Sequence, residues 1–155
     1  MRGKDATKDI MRSFDHDYAD ELIERLRQIP EGAKPQWGSM TREQLYAHLA
    51  DVLRYSMGRG GPPEDQSTWF SRHLVKPLFL SGLLRIPKNI KVPGLESMPD
   101  GDLETLQAVL EDYLHMVQAG ELEPCPHVYF GMLDVDSWAR MHVAHFEHHL
   151  RQFGV

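Results

Sequence analysis

Four of the nine histidines lie within eight residues near the end of the chain. They belong to the run WARMHVAHFEHHLR, from Trp138 to Arg151. On a helix of 3.6 residues per turn, His142, His145 and His149 share one stripe, and His145 and His149 are one turn apart. Two imidazoles one turn apart can bind the same ion, and neutral imidazole is the commonest metal ligand in proteins. The run therefore predicts a pair of metal ligands; a solvated helix end rich in histidine is the alternative.

The spacing of the other two histidines of the run, His142 and His148, does not assign either of them one role. His142 lies on the stripe one turn before the pair, and it could be a fourth ligand, a group that orients a ligand, or a substrate contact. We take it as a candidate catalytic group for proton transfer. His148 lies about 100° from His149 around the helix and is expected near the surface.

His48 is the candidate for a third ligand. It lies on the inward face of a helix predicted from about residue 42 to 57, beside Leu45 and Leu49. A lone histidine on an apolar face is often a core residue, which stays open here as the alternative. Together with His145 and His149 it would form a three-nitrogen site with positions left for water or substrate, as in catalytic metal centres. Such a ligand set favours zinc, nickel or ferrous iron over magnesium or calcium.

Two further predictions concern the surroundings of this site. Asp51, one turn after His48, is expected to orient the His48 imidazole. His127, in the segment before the last helix, is expected to overhang the mouth of the bundle as a second proton-transfer group. Cys125 has only His127 near it in sequence, so we expect an ordinary loop thiol and not a nucleophile.

Apolar residues recur at helical spacing along most of the chain, and no convincing alternating strand is present. Thr41 and Gln44 form a predicted capping box, and Asp134 is a predicted N-cap. These patterns predict one all-α domain over residues 1–155, with a Pro-rich connection from Gly82 to Gly101. The predicted helices span about residues 6–28, 42–57, 102–120 and 134–152, with a short extra helix at about 67–80.

Composition limits the classes of partner. The formal net charge of −6, without a basic face, argues against nucleic acid. The most apolar stretch, from Leu74 to Ile86, is interrupted by charged residues, so it does not predict a membrane span. A single cysteine permits no intrachain disulfide, and the N-terminal residues lack the apolar core of a secretory signal. We expect a cytoplasmic protein.

Three segments resemble the DinB-like superfamily of four-helix bundles, in a subfamily of unknown function. They are WGSMTREQLYAHL from Trp37, HVYFGML from His127, and HFEHHLRQFGV from His145. The superfamily places one metal-binding histidine on the second helix and an HxxxH pair on the last. The resemblance thus implies a divalent metal held by His48, His145 and His149, in a bundle that often forms a homodimer.

The resemblance also implies a function. Better-studied relatives include S-transferases that use low-molecular-weight thiols, and others are assigned as metal-dependent hydrolases. We therefore expect a zinc- or nickel-dependent enzyme, with iron as a further candidate, that acts on a small molecule by thiol transfer; hydrolysis is an alternative. A second alternative is a non-catalytic bundle for binding or stress response, with a structural metal or none. Exposed apolar residues around Trp69, Phe70, Leu74 and Leu78 are the candidate dimer surface.

Overall fold

The structure is a computed structural model that describes residues 12–60, 65–88, 90–92 and 94–155. Its regular elements, in chain order, are α1 (His16–Arg27), α2 (Arg42–Ser56), a π-helical segment (Ser71–Val75), α3 (Lys76–Leu80), a 3-10 turn (Leu95–Ser97), α4 (Leu103–Ala119), β1 (Cys125–His127), β2 (Gly131–Leu133) and α5 (Val135–Phe153).

The helices that carry the candidate ligands begin at the side-chain caps that the sequence predicts. Thr41 accepts a hydrogen bond from the backbone N–H of Gln44, and the Gln44 side chain accepts one from the Thr41 backbone, which confirms the capping box of α2. Asp134 accepts from the Ser137 backbone N–H at 2.8 Å and caps α5. These caps fix the register of the two helices, and hence the direction in which their histidines point.

The prediction of a helix over residues 6–28 is wrong for residues 12–14. Residues 12–14 are not helical, because the Asp15 carboxylate accepts from the Tyr18 backbone N–H at 3.0 Å and starts α1 at His16. Phe14 nevertheless remains in the core, where its ring lies 5.1 Å from that of Tyr113. The apolar spacing therefore continues beyond the end of the helix. The predicted helical residues 6–11 lie outside the part that the structure describes.

The four long helices share one hydrophobic core. α2 packs against α4 and α5, and α1 packs against the same two helices. Leucines of all four helices and one phenylalanine are buried at its centre: Leu22, Leu26, Leu45, Leu49, Leu53, Leu106, Leu110, Phe146 and Leu150. This packing brings the inward face of α2 against the histidine stripe of α5.

The expectation of an all-α fold is wrong for residues 125–133. Strands β1 and β2 pair antiparallel, with Cys125 opposite Leu133 and His127 opposite Gly131. The hairpin is held to both ligand-bearing helices: Tyr55 of α2 donates to the Pro126 carbonyl at 2.7 Å. Trp138 of α5 donates from Nε1 to the Cys125 carbonyl at 2.8 Å. Three-residue strands are too short to show an alternating pattern in the sequence.

A second, smaller apolar cluster joins the hairpin to α3 and α5. It contains Phe79, Phe130, Leu133, Trp138 and Met141. The short helical segment predicted at 67–80 is present over residues 69–80, although residues 71–75 are π-helical. The Pro-rich connection contains the 3-10 turn and otherwise stays irregular within its described residues. No helix in the described ranges is long and apolar enough to cross a membrane.

Candidate metal centre and its cavity

The structure brings together the three histidines that the sequence predicts as ligands. His48 Nε2 of α2 lies 3.0 Å from His145 Nε2, and His149 Nε2 lies 3.1 Å from the same atom. One ligand nitrogen of each ring lies within 4.8 Å of the others. Within the described residues, this is the one group of three His, Cys, Asp or Glu side chains that could share a metal ion.

The spacing of these nitrogens fits a metal ion. Zinc–nitrogen bonds of about 2.0–2.1 Å in tetrahedral geometry place neighbouring ligand nitrogens roughly 3.3–3.4 Å apart. The two measured separations, 3.0 and 3.1 Å, are close to that value. The ligand set is three imidazoles without a carboxylate, which suits zinc, nickel or ferrous iron.

Hydrogen bonding alone does not explain the contact of the three rings. Gln152 donates from Nε2 to the Trp37 carbonyl at 2.9 Å, so its Oε1 faces His149 Nδ1, which lies 2.7 Å away. Because Oε1 can only accept, His149 carries its proton on Nδ1 and presents a lone pair at Nε2. His145 Nε2 holds at most one proton, so it can make a hydrogen bond with one of its two neighbours but not with both. A cation between the rings would be attracted to all three lone pairs.

Burial keeps these rings in the metal-binding protonation state. Desolvation, with a smaller contribution from the neighbouring His149 and His148, lowers the pKa of His48 to about 3. Burial likewise lowers the pKa of His149 to about 4 and holds the pKa of His145 well below its usual range. All three imidazoles are therefore neutral at pH 7, and neutral imidazole is the form that binds metal.

The three rings line one wall of a large, partly open cavity. Its volume is about 1120 Å³, slightly above the usual range for small-molecule sites. Apolar side chains from the π-helical segment, α3, the Pro-rich connection and the hairpin form much of the remaining wall, among them Val75, Phe79, Ile86 and Phe130. A small molecule inside the cavity can thus reach the side of the three imidazoles.

His127 also lines this cavity, from the end of β1. Its Nδ1 lies 3.1 Å from the Tyr129 backbone nitrogen, which can only donate, so Nδ1 is an acceptor and the neutral ring carries its proton on Nε2. Its ring stacks on Phe130 with a centroid separation of 4.8 Å. Burial lowers the pKa of His127 to about 4. At neutral pH the side chain is therefore a fixed hydrogen-bond donor through Nε2.

His142 and His148 take positions that their spacing alone does not predict. His142 is fully buried and absent from the described cavity lining; its Nε2 lies 2.7 Å from the hydroxyl oxygen of Ser56, and its ring stacks on Phe146. The expectation that His148 lies near the surface is wrong: only 9% of it is exposed, because the Trp37 ring covers it at 5.5 Å. His148 lines the cavity.

The group that orients a ligand is Gln152, which the sequence argument does not identify. Asp51 was the expected partner of His48, but its carboxylate accepts from Arg54 at 3.2 Å. Gln152 lies three residues after His149 on α5, and that spacing is a usable signal for side-chain contact on a helix. Cys125 lies in β1 and not in a loop, with its sulfur 3.5 Å from the Tyr55 carbonyl oxygen.

The fold and the site define a mostly helical protein with a candidate three-histidine metal centre. The chain belongs to the family described as "Protein of unknown function (DUF1569)", whose sequence model matches residues 8–154. Comparison with curated proteins and with solved structures found no match.

Proposed function

We propose that this protein is an enzyme that binds a divalent metal ion through His48, His145 and His149 and acts on a small molecule. The observation that carries the proposal is the convergence of three neutral imidazole nitrogens on the wall of a cavity of about 1120 Å³. Zinc or nickel is the proposed ion, with iron as the next candidate. We also propose that the helical core is a DinB-like four-helix bundle, since one ligand comes from its second long helix and an HxxxH pair from its last.

Each residue of the site has a separate task in this proposal. A bound divalent ion would act as a Lewis acid and lower the pKa of a thiol or a water molecule. Gln152 holds the His149 ring so that its Nε2 lone pair faces the site. His127 donates from Nε2 to an acceptor atom of the substrate and stabilises negative charge that develops there. The role in proton transfer predicted for His142 stays a prediction. Its Nε2 contacts the Ser56 hydroxyl, and within the described residues this ring does not line the cavity.

Thiol transfer is the reaction that we propose first. In it the thiol loses its proton to solvent, its sulfur forms a bond to an electrophilic carbon, and the leaving group departs with the electron pair of the broken bond. A low-molecular-weight thiol would be the cosubstrate. The apolar wall formed by Val75, Phe79, Ile86 and Phe130 suits an electrophile with an apolar body, and it excludes water that would compete with the thiol.

A kinetic comparison tests the proposal. Zinc- and nickel-loaded protein is assayed with a small thiol and 1-chloro-2,4-dinitrobenzene, and separately with 4-nitrophenyl acetate for hydrolysis. His48→Ala should abolish turnover. His127→Phe, which keeps the ring stacking but removes the Nε2–H donor, should keep the metal and lower kcat about 100-fold.

The exposed His115→Phe is the matched control and should leave kcat unchanged. Turnover only of the ester would favour the hydrolase alternative. Turnover that survives in His48→Ala would contradict the proposed site. Protein that holds one equivalent of metal but turns over neither substrate would favour a non-catalytic role.

A further inference from the structure

A second, smaller pocket opens beside the candidate metal centre. Its volume is about 390 Å³, and it lies between the Gln36–Trp37 segment, the start of the Pro-rich connection and the end of α5. Arg85, Ile86 and His148 line both this pocket and the large cavity, so the two spaces share one boundary. The His148 ring lies 5.2 Å from the His149 ring, so one side chain separates the small pocket from the three imidazoles.

The side chains around the small pocket carry positive charge. Arg85, Lys88 and Arg151 line it, and no Asp or Glu side chain does so among the described residues. The Lys88 ammonium lies 4.4 Å above the centre of the Trp37 ring, which fixes it at the pocket wall. A guanidinium has five N–H donors, so each arginine can hold an oxyanion in addition to a partner that it already has.

The pocket also lies at the C-terminal end of α5, where the helix dipole favours cations. The last carbonyls of the helix already accept hydrogen bonds: Arg151 O from the Gly154 N–H at 3.2 Å, and Leu150 O from the Val155 N–H at 3.0 Å. The Val155 backbone oxygen at the pocket edge accepts from Arg25 at 3.0 Å.

We propose that this pocket, defined by Arg85, Lys88 and Arg151, binds the anionic end of the small molecule whose remainder occupies the large cavity. The ligand class is an organic carboxylate or phosphate with an apolar body. His148 then lies between the anion and the metal ligands, where it separates the charged end from the reacting end. This inference extends the proposed function, because it names the class of substrate for that site, but the pocket itself needs no metal.

Titration calorimetry with inorganic phosphate, and separately with acetate, tests the pocket. The protein is measured after chelator treatment and again after zinc loading, at low ionic strength, because such binding is screened by salt. Phosphate or acetate should bind the metal-free protein. The anion that binds with the lower Kd identifies the anion class. Lys88→Gln and Arg151→Gln should each weaken binding about tenfold, because each removes a charge-assisted hydrogen bond.

Arg140→Gln is the matched control, since Arg140 is exposed on the same helix and lines neither pocket. It should leave binding unchanged, and Arg151→Lys, which keeps the charge, should retain most of it. Circular dichroism confirms that each variant folds. The proposal is overturned if neither anion binds, if Arg140→Gln weakens binding as much as Arg151→Gln, or if binding occurs only with zinc present. Anion binding by protein that never takes up metal would support the pocket and reject the proposed enzyme.

Discussion

Gln152 determines which nitrogen of His149 is available to a ligand. Its amide nitrogen is bound to the Trp37 carbonyl at 2.9 Å, and this leaves the amide oxygen to accept from His149 Nδ1 at 2.7 Å. A second hydrogen bond joins the Gln36–Trp37 segment to α5: the Gln36 N–H donates to the Gln152 carbonyl at 2.7 Å. The loop before α2 thus controls the protonation of a ring on α5.

Replacement of Gln152 by leucine should weaken metal binding. The variant loses the acceptor for His149 Nδ1–H, so the ring can rotate or take the other tautomer. Loss of such an orienting partner typically costs 10–100-fold in metal affinity. Competition titration with a chromophoric zinc chelator measures the Kd. Gln107→Leu, which replaces a half-buried glutamine on α4 bonded to Glu111, is the control and should keep the wild-type Kd. Equal values for the two variants would show that Gln152 does not orient the ligand.

For single residues, the sequence predicts the three ligands but not Gln152, the residue that orients one of them. The pair His145 and His149 follows from helical spacing alone, and His48 follows from its inward position together with a resemblance. The role of Gln152 depends on Trp37, which is 115 residues away in the chain. The burial of His148 depends on the same tryptophan. Contacts between distant segments leave no periodic signal in a sequence.

Among the elements, the position of α2 depends on a close approach of the Pro-rich connection. The Gly101 N–H donates to the Glu43 carbonyl of α2 at 2.9 Å. A Cβ atom at Gly101 would lie 2.6 Å from the backbone nitrogen of Ala47, the residue before His48. Only glycine allows the connection to lie this close to the helix that carries the first ligand.

Gly101→Ala should therefore destabilise the protein. The methyl group meets backbone, which cannot move aside as a flexible side chain does, and overpacking of this kind costs about 1–3 kcal/mol. Urea denaturation measures the free energy of unfolding. In Gly32→Ala the methyl group meets nothing within 4 Å, so that variant reports only the strain of its positive φ of 71°. An unfolding free energy of Gly101→Ala equal to that of the wild type would contradict the close packing.

The ends of a helix are predictable from the sequence where neighbouring residues form its cap. Thr41 and Gln44 start α2 where the capping box predicts, and Gly120, at a φ of 69°, ends α4 where the sequence predicts. Apolar spacing does not predict the start of α1 at His16, because Phe14 continues that spacing outside the helix. The sequence does not predict the hairpin, because hydrogen bonds from Tyr55 and Trp138 hold its strands and the strands have no alternating pattern of their own.

For the whole molecule, buried neutral histidines predict sensitivity to acid. Burial lowers the pKa of His142 to about 3 and that of His127 to about 4, whereas an unfolded histidine titrates near 6.5. Between these values the unfolded chain binds more protons than the folded one. Stability is therefore full above about pH 6.5 and falls as the pH drops toward 4, by up to about 1.4 kcal/mol per pH unit for each such group.

Urea denaturation of metal-free protein at several pH values between 7 and 4 measures this slope. His127→Phe should reduce the slope by about one proton, because one group no longer titrates. The exposed His115→Phe should leave the slope as in the wild type. An unfolding free energy independent of pH over this range would show that these rings are not held neutral.

The homodimer that the resemblance implies remains a proposal. Trp69 and Phe70 are 69% and 59% exposed, and Leu74 and Leu78 continue the same apolar surface. We propose that a second copy of the chain covers it. Light scattering should give a dimer for the wild type and a monomer for the double variant Trp69→Ser, Phe70→Ser. Val117→Ser, an exposed apolar position on α4, should remain dimeric. A monomeric wild type would contradict the proposal.

The metal content of untagged protein is the most direct test of the central claim. Elemental analysis of protein purified without chelator should give about one equivalent of zinc, nickel or iron per chain. His48→Ala and His145→Ala should each hold almost none, and His115→Ala should match the wild type. Absence of metal in the wild type, with no uptake of added zinc or nickel, would contradict the claim, as would full metal content in His48→Ala.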